Sequence, residues 1–237
     1  MNVTVMSFNT QHCMNYITRE IDFDVMADAI RTCGADIIGL NEMYGEGTEE
    51  FFEPQVQILA EKLGYYYYFA KAIDVFSAPS PYGNGLLSRF PIKNAVTIPV
   101  PDPDPATRKG SCYETRCLLK AELELGEGLT VCVCHFGLNA DEQENAASTV
   151  VANLETSRCV LMGDFNVLPE DPVLSPIRAK MTDASDVIIG SKLSFPSDKP
   201  DRKIDYVFVS RDIKVISAEI PAIVASDHRP HTADIEF

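Results

Sequence analysis

The chain has 237 residues, 46% hydrophobic and 23% charged, with 13 glycines and 15 prolines, a balance that excludes disorder, collagen and coiled coil. A folded domain of this length buries roughly 70 to 75% of the surface its extended chain exposes, so no disulfide or metal staple is needed and one domain over residues 1–237 is expected. Lysine and arginine number 20 and aspartate and glutamate 35, and 20 − 35 = −15 disfavours a protein that coats anionic polymers by bulk charge, but not a local phosphate site.

In chain order, Val3 to Asn9 reads as a strand of β-branched and apolar residues, and Asp36 to Glu42 as a second. Between them, Phe23, Met26, Ala27 and Ile30 recur at helical spacing and Gly34 stands where a left-handed cap belongs. That is a β-α-β opening. A second helix is expected from Phe52 to Leu63, ended by Gly64. A third runs from Asp141 to Leu154, with Ala147, Val150, Val151 and Leu154 on one face. Further strands are expected at Tyr65 to Ala70, Gly85 to Ser88, Ile92 to Ile98, Cys112 to Leu125, Leu129 to Phe136, Cys159 to Met162, Asp205 to Ser210, Ile213 to Ala218 and Thr232 to Phe237. Pro99 to Pro105 and Ser191 to Lys203 are proline-broken and read as loops. Many strands with few helices predict sheets packed face to face with helices outside. No internal repeat is evident.

The seven cysteines, Cys13, Cys33, Cys112, Cys117, Cys132, Cys134 and Cys159, include no Cys-x2-Cys pair, so neither a disulfide framework nor a zinc ribbon is suggested. The start of the chain, MNVTVMSFNT, has no basic region followed by an apolar stretch, and no window approaches eighteen apolar residues. The expectation is a cytoplasmic enzyme without a membrane span.

Strongly polar residues stand where predicted strands end. Asn9 closes the first strand, Glu42 the second, and His135 follows Val131 and Val133 on one face of its strand, with Cys132 and Cys134 on the other. Asp164 and Asn166 lie in GDFN, Asp205 opens IDYVFV, and Asp227 and His228 lie in SDHRP. Hard cations such as Mg2+ take oxygen ligands, which Asn9, Glu42, Asp164 and Asp227 offer. Two histidines near carboxylates are suited to moving protons. Singly, each residue has a structural explanation as a turn or surface group; His12 and His231 are read only that way, as surface or core histidines.

The order and spacing of the whole set resembles the endonuclease/exonuclease/phosphatase superfamily, DNase I-like metal-dependent phosphoesterases. SFN at 7–9, GLNE at 39–42, GNGLLSRFPI at 83–92, CHFGLN at 134–139, GDFN at 163–166, KIDYVFVS at 203–210 and SDHRP at 226–230 follow in the family's order. Two departures stand out: the family more often has glutamine where Asn41 precedes Glu42, and threonine where Cys134 precedes His135.

The resemblance implies an α/β fold, a four-layer α/β sandwich of two mixed β-sheets flanked by helices. It implies Mg2+, with Mn2+ as the alternative, held by Glu42 with Asn9 and Asp227. Asp164 and Asn166 would position the attacking water, Asp164 as the general base. Asp205 would orient His228, and His135 would donate to a phosphate oxygen. Asn84 and Arg116 are the candidate substrate-binding residues.

Three rivals are weaker. Cys13-x5-Arg19 has the spacing of cysteine-dependent phosphatases, but Tyr16 stands where their phosphate cradle needs glycine. A calcineurin-like enzyme needs Asp-x-His and Gly-His-x-His elements that are absent. A catalytically inactive binding module of the same fold would be expected to lose site residues, and here they stand. The expected substrate is a phosphodiester or phosphomonoester. A nuclease acting on DNA or RNA is the alternative, disfavoured by the net charge and by the lack of a basic run; of the aromatic run Tyr65 to Phe69, half is expected in the core. No membrane span is expected, and oligomeric state is not legible.

Overall fold

A computed structural model describes residues 1–49, 52–76 and 79–237 of the chain. The strands are β1 (Asn2–Asn9), β2 (Ile37–Tyr44), β3 (Tyr66–Asp74), β4 (Pro81–Ser88), β5 (Ile92–Pro99), β6 (Cys117–Leu123), β7 (Leu129–Cys134), β8 (Cys159–Asp164), β9 (Met181–Asp183), β10 (Asp205–Ser210), β11 (Lys214–Glu219) and β12 (His231–Glu236). The α-helices are α1 (Phe23–Cys33), α2 (Gln55–Leu63), α3 (Ala140–Asn153) and α4 (Ser175–Arg178).

Two six-stranded sheets form, ordered β11-β12-β1-β2-β4-β3 and β5-β6-β7-β8-β10-β9. Each is mixed. At the centre of one, β1 and β2 run parallel across α1; at the centre of the other, β7 and β8 run parallel across α3. Antiparallel strands flank both pairs, so the two halves share one topology although their sequences show no repeat.

Alternating side chains make the layers. Val3 and Val5 of β1 meet Val131 and Val133 of β7 and Val207 of β10 between the sheets. On the opposite faces, Met6 and Phe8 pack with Met26, Ala27 and Ile30 of α1, and Cys132 and Cys134 with Ala146, Ala147 and Val150 of α3. The four-layer α/β sandwich expected from the sequence is what forms. A buried Phe or Val contributes about 1.5–3 kcal/mol relative to its exposed state, so the three cores far outweigh any surface pairing.

Local signals explain the helices. Asp22 caps α1 by accepting from the N–H groups of Asp24 and Val25, and Gly34 ends it at φ +62°. Asn139 and Glu142 form a capping box on α3. Several boundaries differ from expectation. The second helix starts at Gln55, after Pro54, and the third ends at Asn153 because Leu154 is extended. Residues 112–116 are not strand, with Cys112 at φ +61°, and β6 begins only at Cys117. β3 and β4 are longer than expected, and β9 and α4, three and four residues long, were not foreseen. Among the described residues no helix is long and apolar enough to cross a membrane.

Candidate active site

Parallel central strands send their C-terminal ends to one edge of an α/β layer, the place where such sheets usually expose polar groups to ligand. Here β1 and β2 deliver Asn9, Asn41 and Glu42, and β7 and β8 deliver His135 and Asp164. Two antiparallel neighbours bring their N-terminal ends to the same edge. Asp205 of β10 pairs opposite Asp164, and His228 lies just ahead of β12. Residues from distant stretches therefore meet around a cavity of about 470 Å3 lined by Glu42, Arg116, His135, Asp164, Asp227 and His228, among others. A larger groove of about 660 Å3 beside α3 gathers no histidine and none of the predicted site residues.

Glu42 reaches this rim through a backbone irregularity. Leu40 and Met43 both pack into the α1 layer, and the pairing of β2 with β4 slips between them. In regular alternation Glu42 would share the face of Leu40 and enter that apolar core. Instead Glu42 adopts φ +60° and the bulge turns it to the sheet edge. A non-glycine residue held in that region costs on the order of 1–3 kcal/mol, which the surrounding packing must offset.

Asp164 is the hub. Its Oδ2 accepts from Asn9 Nδ2 at 3.1 Å and lies 3.6 Å from both His135 Nε2 and His228 Nε2. Its Oδ1 accepts from the Asn166 N–H at 2.9 Å, and its own N–H donates to Asn41 Oδ1 at 2.9 Å. Burial pushes the Asp164 carboxyl up, to about 7, against the lowering pull of His228. The glycine before it is obligatory. A Cβ on Gly163 would stand 1.8 Å from the Cys134 carbonyl oxygen. Phe165, the next residue, stacks on Phe136 at 4.3 Å and on Tyr206 at 5.3 Å, anchoring the turn from below.

His228 Nδ1 shares a 2.9 Å hydrogen bond with Asp205 Oδ2, and Asp205 is fully buried. Burial pulls the His228 imidazole down, but the charges of Asp205 and Asp164 outweigh it and hold the ring up, to about 10. His135 sits on the other side of Asp164 in the opposite state. Burial first, then the Arg116 charge, holds it well below the ordinary histidine range. Arg116 Nη1 lies 3.2 Å from His135 Nδ1 and Asn166 Nδ2 lies 3.2 Å from its Nε2. Both only donate and a neutral ring has one lone pair, so the charged Arg116 takes Nδ1, the proton sits on Nε2 toward Asp164, and the Asn166 approach is a contact between two donors rather than a hydrogen bond. Arg116 also pairs with Glu114, and its Nε is buried without a partner among the described residues. Asn166, at φ +51°, lies 3.2 Å from His135 Nε2 and donates to the Phe136 carbonyl at 3.0 Å.

Two of the predicted residues are held by protein partners. Asn84 does not line the cavity. It is 2% exposed, accepts from Asn41 Nδ2 at 2.8 Å and donates to the Cys117 carbonyl at 2.9 Å, so both ends of its amide are occupied by protein. Asn9 turns its amide nitrogen to Glu42 Oε1 (3.0 Å) and Asp164, while its oxygen accepts the Gln11 N–H (3.1 Å), so in this arrangement it donates to two carboxylates.

Sequence reasoning missed Asn41 and His12. Asn41 supports Asp164, and its signal was its place before Glu42 in GLNE. His12 lines the cavity and stacks on Tyr44 at 4.2 Å, whereas His231 is buried in the core as expected.

The donor set fits a divalent cation beside Glu42. Burial raises the Asp227 carboxyl, and the Glu42 charge adds to the rise, as two acids facing one space require. Asp164, Asp205 and His228 also bring ligand atoms within 4.8 Å of one another. That cluster is less suited, because His228, held protonated by its two carboxylates, has no lone pair to give.

A sequence profile of the Endonuclease/Exonuclease/phosphatase family matches residues 6–228. No curated protein matches the chain. Among solved structures, an endonuclease/exonuclease/phosphatase from Beutenbergia cavernae is 22% identical with a TM-score of 0.81, covering 100% of this chain and 72% of that one. One from Bacteroides vulgatus is 21% identical with a TM-score of 0.76, covering 100% and 99%. A mannosyl-6-phosphatase from Bacteroides thetaiotaomicron is 17% identical with a TM-score of 0.76, covering 99% and 100%. At these identities the likeness extends to the fold.

Proposed function

The chain belongs to the endonuclease/exonuclease/phosphatase family, and from that premise we propose that it hydrolyses a small phosphomonoester or phosphodiester by metal-assisted, in-line attack of water, with Mg2+ or Mn2+ as the ion. One observation carries this reading: His135 and His228, in opposite charge states, flank the same oxygen of Asp164 at 3.6 Å each, on a rim shared with Glu42. Such a pair of environments separates acid, base and electrostatic roles.

Glu42 with Asp227 would hold the cation, which would supply charge neutralisation at the phosphoryl oxygens. The protein's own groups do the rest. Asp164, with its carboxyl raised toward neutrality, takes the proton of the attacking water. The His135 Nε2–H donates to a non-bridging oxygen, and Asn166 positions the water beside it. His228, charged and oriented by Asp205, stabilises the developing negative charge. Arg116, tied to His135 and Glu114, adds a fixed positive charge on the cavity wall.

Substrate size follows from the shape and charge. The site is a cavity of about 470 Å3, and the net charge is −15, features that suit a small ester better than a polyanionic strand. A fold neighbour that acts on a mannosyl 6-phosphate is consistent with that class. The test is an activity panel on the purified protein with Mg2+ and Mn2+, across sugar phosphates, inositol phosphates, bis-p-nitrophenyl phosphate, RNA and plasmid DNA. Hydrolysis of small esters that vanishes on chelation is expected. Activity that survives exhaustive chelation sinks the metal-dependent mechanism, and cleavage confined to nucleic acid sinks the small-substrate assignment.

A further inference from the structure

His12 lies three residues beyond the end of β1 in a segment where Gln11, His12 and Cys13 all have positive φ, at 48°, 58° and 58°. The turn is pinned from both sides. The His12 N–H donates to the Glu42 carbonyl at 2.9 Å, and its own carbonyl accepts from Gln55 Nε2 at 2.8 Å. The imidazole stacks on Tyr44 with an interplanar angle of 1° and meets Tyr82 at a tilt of 58°, 5.5 Å between centroids. Ring position is therefore fixed by packing.

Its protonation state is fixed as well. Nδ1 lies 3.1 Å from the Glu42 carbonyl oxygen, which only accepts, so the proton of the neutral ring sits on Nδ1 and the lone pair on Nε2. No described residue donates to that lone pair. It stands 3.8 Å from Glu42 Oε2, too far for a hydrogen bond. Two atoms bound at about 2.1 Å to one ion lie at most about 4.2 Å apart, so the separation suits a shared cation. Histidines that bind metals characteristically donate their other ring N–H to a carboxylate or backbone carbonyl, the arrangement seen here.

We propose that His12 Nε2 is a ligand of the cation held by Glu42, and that this nitrogen makes the site select Mn2+ over Mg2+. The inference rests on the reading that Glu42 holds the catalytic ion. Its chemical basis is that imidazole suits first-row transition ions, whereas Mg2+ prefers an all-oxygen shell. The stack on Tyr44 also explains why a histidine, and not a carboxylate, fits between two aromatic rings.

The test is pulsed electron paramagnetic resonance on the Mn2+-loaded full chain, wild type and His12→Phe, with a Mn2+/Mg2+ competition titration on both. Phenylalanine keeps the stack on Tyr44 but has no ligand atom, and His12→Gln serves if it fails to fold. Expected is a 14N coupling in the wild type that His12→Phe abolishes, with Mn2+ affinity falling at least tenfold and Mg2+ affinity changing less than threefold. A 14N coupling that survives the substitution, or equal losses for both ions, overturns the ligand assignment while leaving the Glu42 site intact. No binding of either ion to wild type overturns the Glu42 site together with it.

Discussion

Asp205 and His228 form a 2.9 Å hydrogen bond out of reach of solvent, with Asp205 fully buried and His228 4% exposed. The carboxylate has no alternative partner nearby: its Oδ1 is buried without a hydrogen bond among the described residues. Loss of His228 therefore leaves the Asp205 carboxylate desolvated and unpaired, and loss of Asp205 leaves His228 Nδ1 without its acceptor. His228→Ala is expected to lower kcat at least about a hundredfold, within the usual contribution of a group that handles charge or protons in the transition state. Asp205→Asn keeps the shape but removes the charge that holds the imidazole up, so its titration, followed by NMR in the metal-free protein, moves down. Near-normal turnover in a folded His228→Ala enzyme removes this residue from the mechanism.

A second prediction concerns the amides beneath the site. Asn41 holds the Asp164 N–H, and Asn84 holds Asn41. Asn84→Ala leaves the Asn41 amide and the Cys117 carbonyl short of a partner in a buried place, a loss of about 1–3 kcal/mol measurable by urea unfolding. Because Asn84 touches no part of the cavity, kcat falls while KM stays within about threefold. A KM raised more than tenfold with unchanged stability would restore Asn84 as a substrate contact.

What the sequence made legible is instructive at particular residues. Helical spacing located α1 and α3 and strand composition located β1, β2, β7, β8 and β10, because their faces are buried and the apolar period is strong. β4 begins at Pro81 rather than at the expected Gly85; a Cβ at Gly83 would stand 2.0 Å from the Ala70 carbonyl, and closeness of chain explains the glycine. The charged and histidine residues of the site were found through their order along the chain. Their supports were not. Asn41 acts through a hydrogen bond spanning 123 positions, and His12 through a positive-φ turn that no propensity encodes. Nor does spacing reveal which end of the Asn9 amide faces the carboxylates.

Away from the cavity, Lys203 and Asp183 form a buried ion pair at 3.1 Å, both under 7% exposed, with Lys203 Nζ 3.3 Å above the Tyr206 ring. Burial lowers the Lys203 amine to about 8 in spite of Asp183, while Asp183, opposed by its own burial, is lowered by Lys203. Lys203→Met takes the nearest cation from Asp183, leaving it Arg178 at 3.8 Å and the Ser185 N–H, and is expected to cost about 3 kcal/mol. The double change Lys203→Met, Asp183→Leu recovers most of that. Thermal or urea unfolding of the three proteins checks it, and a single mutant as stable as wild type rejects the pair as a structural element.

The last prediction is a pH dependence located at His231. Its Nδ1 lies 3.3 Å from the Asp205 carbonyl, and its Nε2 is buried without a partner among the described residues. Burial, with the Lys203 charge adding to it, lowers the ring from 6.5 to about 4. The folded state therefore binds this proton more weakly than the unfolded chain does. Its contribution to stability is complete above pH 6.5 and is lost as pH falls from there toward 4, a change on the order of 3 kcal/mol at about 1.4 kcal/mol per pH unit. His12 and His135 are lowered too and tilt the curve the same way, so the wild-type slope alone does not identify His231. His231→Asn keeps a donor near the Asp205 carbonyl but cannot titrate. Urea unfolding of both proteins at pH 7.5 and 4.5 isolates the term: the drop in stability between the two pH values is expected to be about 2–3 kcal/mol smaller in the variant, and an equal drop in both proteins would show that His231 does not carry the effect.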